Sequence, residues 1–351
     1  MRRRDISKAL FATAAGSTVA AAPVEAQTCT APCYAQTTAE SAAGVTPVNY
    51  AYPFLDVRRY GAVGNGTTDD TAAFNAAIKA CYNTDGAIVV AATAASYILT
   101  SGLTLGNANN AARIYGSGQP TLSFVGLSGT DAITMTGSSP AYRQHELRGL
   151  IINLNGSGRD AVVLNASSHP ILDNVWIMNP GRDGFSIQCS SYGWVEKGEF
   201  NLMVYNAGRH GVLMSTAGSD GAFINECIWR QYVLRGVSAL IPGGNAIRMT
   251  STATGGGSKI SDHYIEKSSW DCGYNSGNPV PDVSPINIDS GVAQNFLITT
   301  GGWENTGNAG SPGIGPACNV TGSGAWSGLT LIANITNAFW GQGAPPLQCQ
   351  I

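Results

Sequence analysis

The middle of the chain repeats a short pattern of apolar and polar positions. Leu147 to Leu164 reads LRGLIINLNGSGRDAVVL, Leu172 to Ile187 reads LDNVWIMNPGRDGFSI, and Phe200 to Met214 reads FNLMVYNAGRHGVLM. Each run holds an apolar strand, an Asn-bearing bend, a Gly-Arg turn and a second short apolar strand. Arg159, Arg182 and Arg209 mark the turns, 23 and then 27 residues apart, a spacing that suits one structural unit per repeat. Later units carry longer connections: NECIW at Asn225 to Trp229 is answered by NAIRM at Asn245 to Met249, and DHYIE at Asp262 to Glu266 by PINI at Pro285 to Ile288. Asn319 to Ile351 holds two more apolar runs that close the stack. Aligning the strands predicts a polar column of Asn174, Asn201, Asn225 and Asp262, read as a side-chain ladder at a bend. Beside it runs an apolar core column of Ile177, Val204, Ile228 and Ile265.

Ahead of the repeats, Tyr60 to Cys81 reads YGAVGNGTTDDTAAFNAAIKAC. Asp56 to Tyr60 reads as a short strand, and Gly61, Gly64 and Gly66 punctuate a turn. Thr67 or Thr68 caps a helix, with Thr67 and Asp70 at capping-box spacing and Asp69 and Asp70 in the first turn. Ala73, Phe74, Ala77, Ile78 and Cys81 then share one helical face. The glycines lack the spacing of a phosphate loop, and two acids stand where a phosphate would sit. Calcium-loop spacing is absent as well. The stretch is therefore read as architecture: a strand, a turn and an amphipathic helix that covers something.

Composition narrows the class. Only 12% of residues are charged and 44 are glycine, which suits a β-rich, turn-rich protein rather than a helical bundle. The net charge of -3, with no basic block beyond the first residues, leaves no nucleic-acid footprint. Residues 1–26 read as a twin-arginine-type signal peptide: Arg3-Arg4-Asp5-Ile6-Ser7-Lys8, a mildly apolar alanine-rich middle, and a small-residue cleavage site at Val24-Glu25-Ala26. That implies a periplasmic or secreted protein with no membrane attachment once the leader is removed. Residues 27–55 read as a linker or N-terminal arm and 56–351 as one domain. Eight cysteines show no paired metal-ligand spacing. In an oxidising compartment Cys29 could bridge to Cys33 or to Cys349, while Cys189, Cys227 and Cys272 read as buried thiols.

The stretch DVRRYGAVGNGTTDDTAAFNAAIKAC, Asp56 to Cys81, resembles the entry motif of the pectate lyase superfamily, which includes polygalacturonase-like, rhamnogalacturonase-like and epimerase-like proteins and some phage tailspikes. The resemblance implies an all-β, right-handed parallel β-helix whose first helix caps the open N-terminal end. It implies a polysaccharide partner and leaves the reaction open. The family's catalytic motifs do not transfer: Asn83-Thr84-Asp85 precedes the coils, Arg209-His210-Gly211 stands in place of Gly-His-Gly, and no Arg-Ile-Lys follows. Val175-Trp176-Ile177 lacks the Asp-His of the calcium-dependent pectate lyases, while Asp262-His263 lacks the Trp-Ile.

Cleaving a polysaccharide needs either paired carboxylates, for hydrolysis, or a base and a positive group or metal beside a uronate, for elimination. Charge in this sparing chain is dense from Arg182 to Glu266. His210, Glu226, His263 and Glu266 are the catalytic candidates, and Arg182, Asp183, Arg209, Arg230 and Asp262 the substrate-binding ones. No cofactor is fixed; calcium enters as a candidate through the lyase reading. The reading is a lyase or glycoside hydrolase acting on a pectin-like or other acidic glycan. Its rival is a non-catalytic carbohydrate-binding or surface structural β-helix. A trimeric tailspike-like assembly is a third reading, against which the export signal argues; the oligomeric state stays open.

Overall fold

The computed structural model describes residues 33–271 with short interruptions, and beyond them strand segments as far as Ile332. The leader read at residues 1–26, and Cys29, Cys272 and Cys349, lie outside the described residues. Every strand pairing among the described residues is parallel, and successive coils stack into a right-handed β-helix. One coil runs from the long strand Ile171–Met178 through a turn to Phe185–Cys189, then to the short strand Trp194–Glu196 and on to the next long strand, Glu199–Tyr205. The three predicted repeats fall on three successive coils. Their two strands each are Glu146–Asn153 with Val162–Asn165, Ile171–Met178 with Phe185–Cys189, and Glu199–Tyr205 with Val212–Thr216. The third, short strand of each coil gave no repeat signal, because two or three residues cannot display a period.

Two predicted columns need correction. Asn201 pairs with Asp173 and Gln231, Asn225 pairs with Glu196 and Ser261, and Asn174 and Asp262 sit in left-handed backbone conformation between pairings. The amide ladder exists elsewhere, at the bend after the long strands. Asn179 Nδ2 donates to Asn153 Oδ1 at 3.2 Å and Asn206 Nδ2 to Asn179 Oδ1 at 3.1 Å. The core column through Ile177 and Val204 continues to Leu234 and Trp270; Ile228 instead pairs with Glu199, and Ile265 with Trp229. Bulges beside Asn174 and Arg230 shift the register, and no spacing in the sequence announces them.

Side chains alternate inward and outward along each strand, so that Phe200, Leu202 and Val204 turn inward on Glu199–Tyr205. The interior holds a chain of fully buried rings: Phe185 against Phe200 at 5.1 Å between centroids, Phe200 against Trp229 at 4.6 Å, then Tyr232 and Trp270. The Tyr232 hydroxyl donates to the Ala246 carbonyl at 2.7 Å, which settles its buried polar end. That hydroxyl lies 2.0 Å from where a side chain on Gly211 would begin. The thiols of Cys81, Cys189 and Cys227 are free and buried.

The N-terminal region closes the first coil. Helix Thr71–Cys81 buries Ala73, Phe74, Ala77, Ile78 and Cys81, the face the sequence predicts. Its start differs from expectation. Asp69 Oδ1 accepts from the Thr71 backbone N–H at 3.0 Å and hydroxyl at 2.6 Å, while Asp70 turns back to accept from Val63 and Gly64. Thr67 and Thr68 are held by Asn65 instead. Val57–Tyr60 is a 3-10 turn capped by the Asp56 carboxylate, not a strand. The described part of the arm is docked, not free. Arg59 is fully buried, and its five N–H donors reach Glu40 twice and the carbonyls of Tyr34, Ala35 and Tyr52. Cys33 is disulfide-bonded. No helix among the described residues is long and apolar enough to cross a membrane.

Gly211→Ala is expected to lower stability by about 1–3 kcal/mol through overpacking against Tyr232. A thermal melt checks it; an unchanged Tm would mean that the hydroxyl is not lodged there.

Candidate functional site

The sequence candidates divide into two groups on different faces. Arg182, Asp183, Arg209 and His210 belong to a ladder along the stacked turns. Asp160 accepts from Arg182 Nε and Nη2, both at 2.7 Å; Asp183 accepts from Arg209 Nε at 2.9 Å and from Nη2. The same acids also accept a backbone N–H from the next coil: Asp183 N to Asp160 Oδ1 at 3.3 Å and His210 N to Asp183 Oδ1 at 3.1 Å. At the next rung the acceptor is His210, whose Nδ1 takes the Asn245 N–H at 3.1 Å. At that turn Gly244 stands where the two preceding turns carry arginine, and a neutral acceptor there leaves no buried charge unpaired.

His263 is fixed in a similar way. Its Nδ1 accepts from Trp229 Nε1 at 3.3 Å, so Nε2 carries the proton and donates to the Ile224 carbonyl at 3.2 Å. His210 is 6% and His263 1% exposed. Both candidate bases therefore face inward and hold the stack. The remaining candidates are outward. Glu226 and Asp262 occupy left-handed corners on successive coils, Glu226 with Lys197 at 3.9 Å, and Arg230 pairs with Glu266 at 2.5 Å.

A third group, which the sequence reading missed, lies on the outward face of the long sheet. One row runs Tyr115, Arg148, Asp173, Asn201, Gln231 on successive coils. Arg148 bridges two acids: Nε donates to Glu146 Oε2 at 2.8 Å and Nη1 to Asp173 Oδ2 at 3.3 Å. The Tyr115 hydroxyl donates to Glu146 at 2.6 Å, and Asn201 Nδ2 to Asp173 Oδ1 at 3.2 Å. Burial, then the hydrogen bond to Glu146, pushes the Tyr115 phenol above its usual range and keeps it a donor. The Glu146 side chain is 6% exposed and that of Asp173 49%, so one acid is sheltered and its neighbour faces solvent. On neighbouring rows of the same face stand Trp176 and Tyr205, both half-buried. The bulge at Asn174 separates Asp173 from Trp176 and lets both point outward. The signal available in the sequence was LDNVWIM itself, where an acid, an amide and a tryptophan interrupt an apolar strand. Among the described residues no three His, Cys, Asp or Glu side chains gather as a metal site.

The family whose model matches residues 54–268 is described as rhamnogalacturonase A/epimerase, pectate lyase-like, and the chain belongs to it. Membership places it among carbohydrate-active β-helix proteins. Similar solved structures include ORF18 of Geobacillus virus E2, 17% identical with a TM-score of 0.43, covering 81% of this chain. The chain spans 60% of the length of that viral protein. The A-module of mannuronan C-5 epimerase AlgE4 from Azotobacter vinelandii is 13% identical, TM-score 0.36, with 81% of this chain and 98% of that one covered. The endo-xylogalacturonan hydrolase of Aspergillus tubingensis is 14% identical, TM-score 0.31, with 78% and 92% covered. No curated protein matches the chain.

Buried histidines give the fold an acid limit. Burial depresses His145 and His263 to about 4 and His210 to about 3, from an ordinary 6.5, with Arg209 and Arg248 adding to the His210 shift. The unfolded chain then binds protons that the folded one refuses, so stability is full above pH about 6.5 and falls as pH drops toward the folded values. Each imidazole is expected to cost about 2 kcal/mol at pH 5. Urea midpoints at pH 7 and pH 5 check this, and His210→Asn, which keeps an acceptor, is expected to shrink the difference.

Proposed function

We propose that the chain is an exported polysaccharide-active enzyme whose substrate lies along the outward face of the long sheet, with hydrolysis as its reaction. The observation that carries this reading is the Glu146–Arg148–Asp173 bridge beside the Asn174 bulge, with Trp176 on the same face. Hydrolysis of a glycosidic bond calls for two carboxyl groups in unlike surroundings, one to give and one to take a proton. Glu146 is sheltered and held by three donors' residues, Tyr115, Arg148 and Arg113; Asp173 is half exposed. Asp173 is the group that reaches substrate, and Glu146 its partner. Trp176 and Tyr205 supply faces on which sugar rings stack.

The elimination reading loses its imidazole bases, since His210 and His263 face inward. Arg113, Arg148, Arg230 and Arg235 on this side support an acidic glycan. The disulfide at Cys33 supports an oxidising compartment, in keeping with the leader. The binding-only reading keeps one observation in its favour: both acids of the pair are already engaged by Arg148.

Asp173→Asn and Glu146→Gln are each expected to lower turnover about 100-fold or more while leaving the melting curve near that of the parent. Pectic, alginate-like and neutral polysaccharides, with and without calcium, serve as substrates, and reducing ends are recorded together with unsaturated-uronate absorbance. Reducing ends without the absorbance support hydrolysis; both together point to a lyase. Turnover unchanged in both variants places the chemistry elsewhere. His210→Ala is expected to lose stability first.

A further inference from the structure

The turn ladder has one rung that is not filled. Asp160 and Asp183 are surrounded: Asp160 takes two bonds from Arg182, one each from Ser186 and Gln188, and the Asp183 N–H. Asp131, the equivalent residue one coil earlier, accepts only the Asp160 N–H, at 3.1 Å. Its arginine, Arg159, stands off with Nε at 3.4 Å, and that Nε is buried without a hydrogen-bond partner. The two are paired by charge without a hydrogen bond, so the Asp131 carboxylate keeps acceptor capacity to spare. Burial pushes the Asp131 carboxyl above its usual range, as a carboxylate short of partners requires.

That rung opens onto a groove of about 470 Å³, on the opposite flank from the Glu146–Asp173 pair. Strands Leu103–Leu105 and Ile133–Thr136 form its floor, where Thr104 and Thr134 stand side by side and outward. Thr100, Ser101, Ser128 and Asp131 complete the polar wall. Thr100 is fixed by its own bond to Asp69 at 2.7 Å. The volume lies within the range of small-molecule sites, and the lining joins hydroxyls and one carboxylate to an apolar half that includes Leu103 and Leu127, where such sites are mostly apolar. A polyhydroxylated ligand matches that lining, because each sugar hydroxyl both donates and accepts.

We propose that this groove is a second saccharide site and that it takes a neutral sugar unit. Asp131 accepts from two neighbouring hydroxyls, and Thr104 and Thr134 line the ring edge. The carboxylate repels a uronate, so this site and the long-sheet face select different parts of a mixed glycan. The inference goes beyond the proposed activity and does not depend on it.

The test is an amide NMR titration of the full-length protein with the methyl glycosides of glucose, galactose, mannose and rhamnose, and separately with galacturonate. At least one neutral glycoside is expected to shift the amides of Thr104, Asp131 and Thr134, and galacturonate to leave them in place. The shifts are expected to persist in Asp173→Asn and to weaken about tenfold or more in Asp131→Asn. Thr134→Val keeps a strand-forming outward residue and is expected to weaken binding even where Asp131→Asn does not fold. Silence from all four neutral glycosides, equal response to galacturonate, or binding unaffected by Thr134→Val overturns the site. Loss of shifts in Asp173→Asn alone also overturns it, by placing the sugar on the long sheet. Turnover by Asp173→Asn is read separately, so failure of the hydrolase reading leaves this result standing.

Discussion

A parallel coil cannot satisfy its own turns. Each turn presents a backbone N–H toward the preceding coil, and an unpaired buried N–H costs about as much as a lost hydrogen bond. Here one side-chain acceptor per coil meets that need. Asp131, Asp160, Asp183 and His210 each accept the N–H of the equivalent residue one coil on. The aspartates bring a charge with them, and a buried charge must be paired. That second demand accounts for Arg182 and Arg209, whose forks close on the acids below. Where the arginines stop, the acceptor becomes a neutral imidazole. The density of charge that looks catalytic in the sequence is, on this face, the consequence of stacking.

The same stacking frees the long sheet. With most turns and the interior satisfied by their own groups, the outward positions of the long strands are open to other uses. Arg148 nevertheless spans two acids there, Tyr115 and Asn201 complete their shells, and a bulge interrupts the ladder at Asn174. Aromatic rings and the half-exposed Asp173 on this β face gain the fold little, since exposed ion pairs contribute about 0–1 kcal/mol. Their concentration on one face is the physical argument for function there.

The fold was legible because its signals are long or repeated. The Gly-Arg turns recur with one coil's spacing, and the helical face from Ala73 to Cys81 spans more than two turns, so both survive local irregularity. The site was not legible in the same way. His169, Lys197, Glu226 and Asp262 are ordinary residues whose left-handed backbone sets each corner, and no residue type announces it. A one-residue bulge reassigns every neighbour beyond it, which is why Asn201 was aligned with Asn174 rather than with Asp173. His210 and His263 drew attention by rarity, yet a histidine is also a compact buried acceptor. Sequence carries the residue type and not the direction in which it points.

Arg59 makes the same point in the opposite direction. It lies in the motif that carries the family resemblance, and a buried arginine with all five donors engaged is a structural latch. All four of its partners, Tyr34, Ala35, Glu40 and Tyr52, come from the arm ahead of the domain, so the arm closes the first coil only when this one side chain is threaded through it. The motif thus identifies the fold because it solves a problem of the fold: how to end a solenoid whose first coil has no neighbour. Reaction chemistry imposes nothing on those residues. A motif of that origin is shared by proteins that act on different glycans, and the groups that distinguish them lie on the outward rows, where the coil leaves the choice of side chain open.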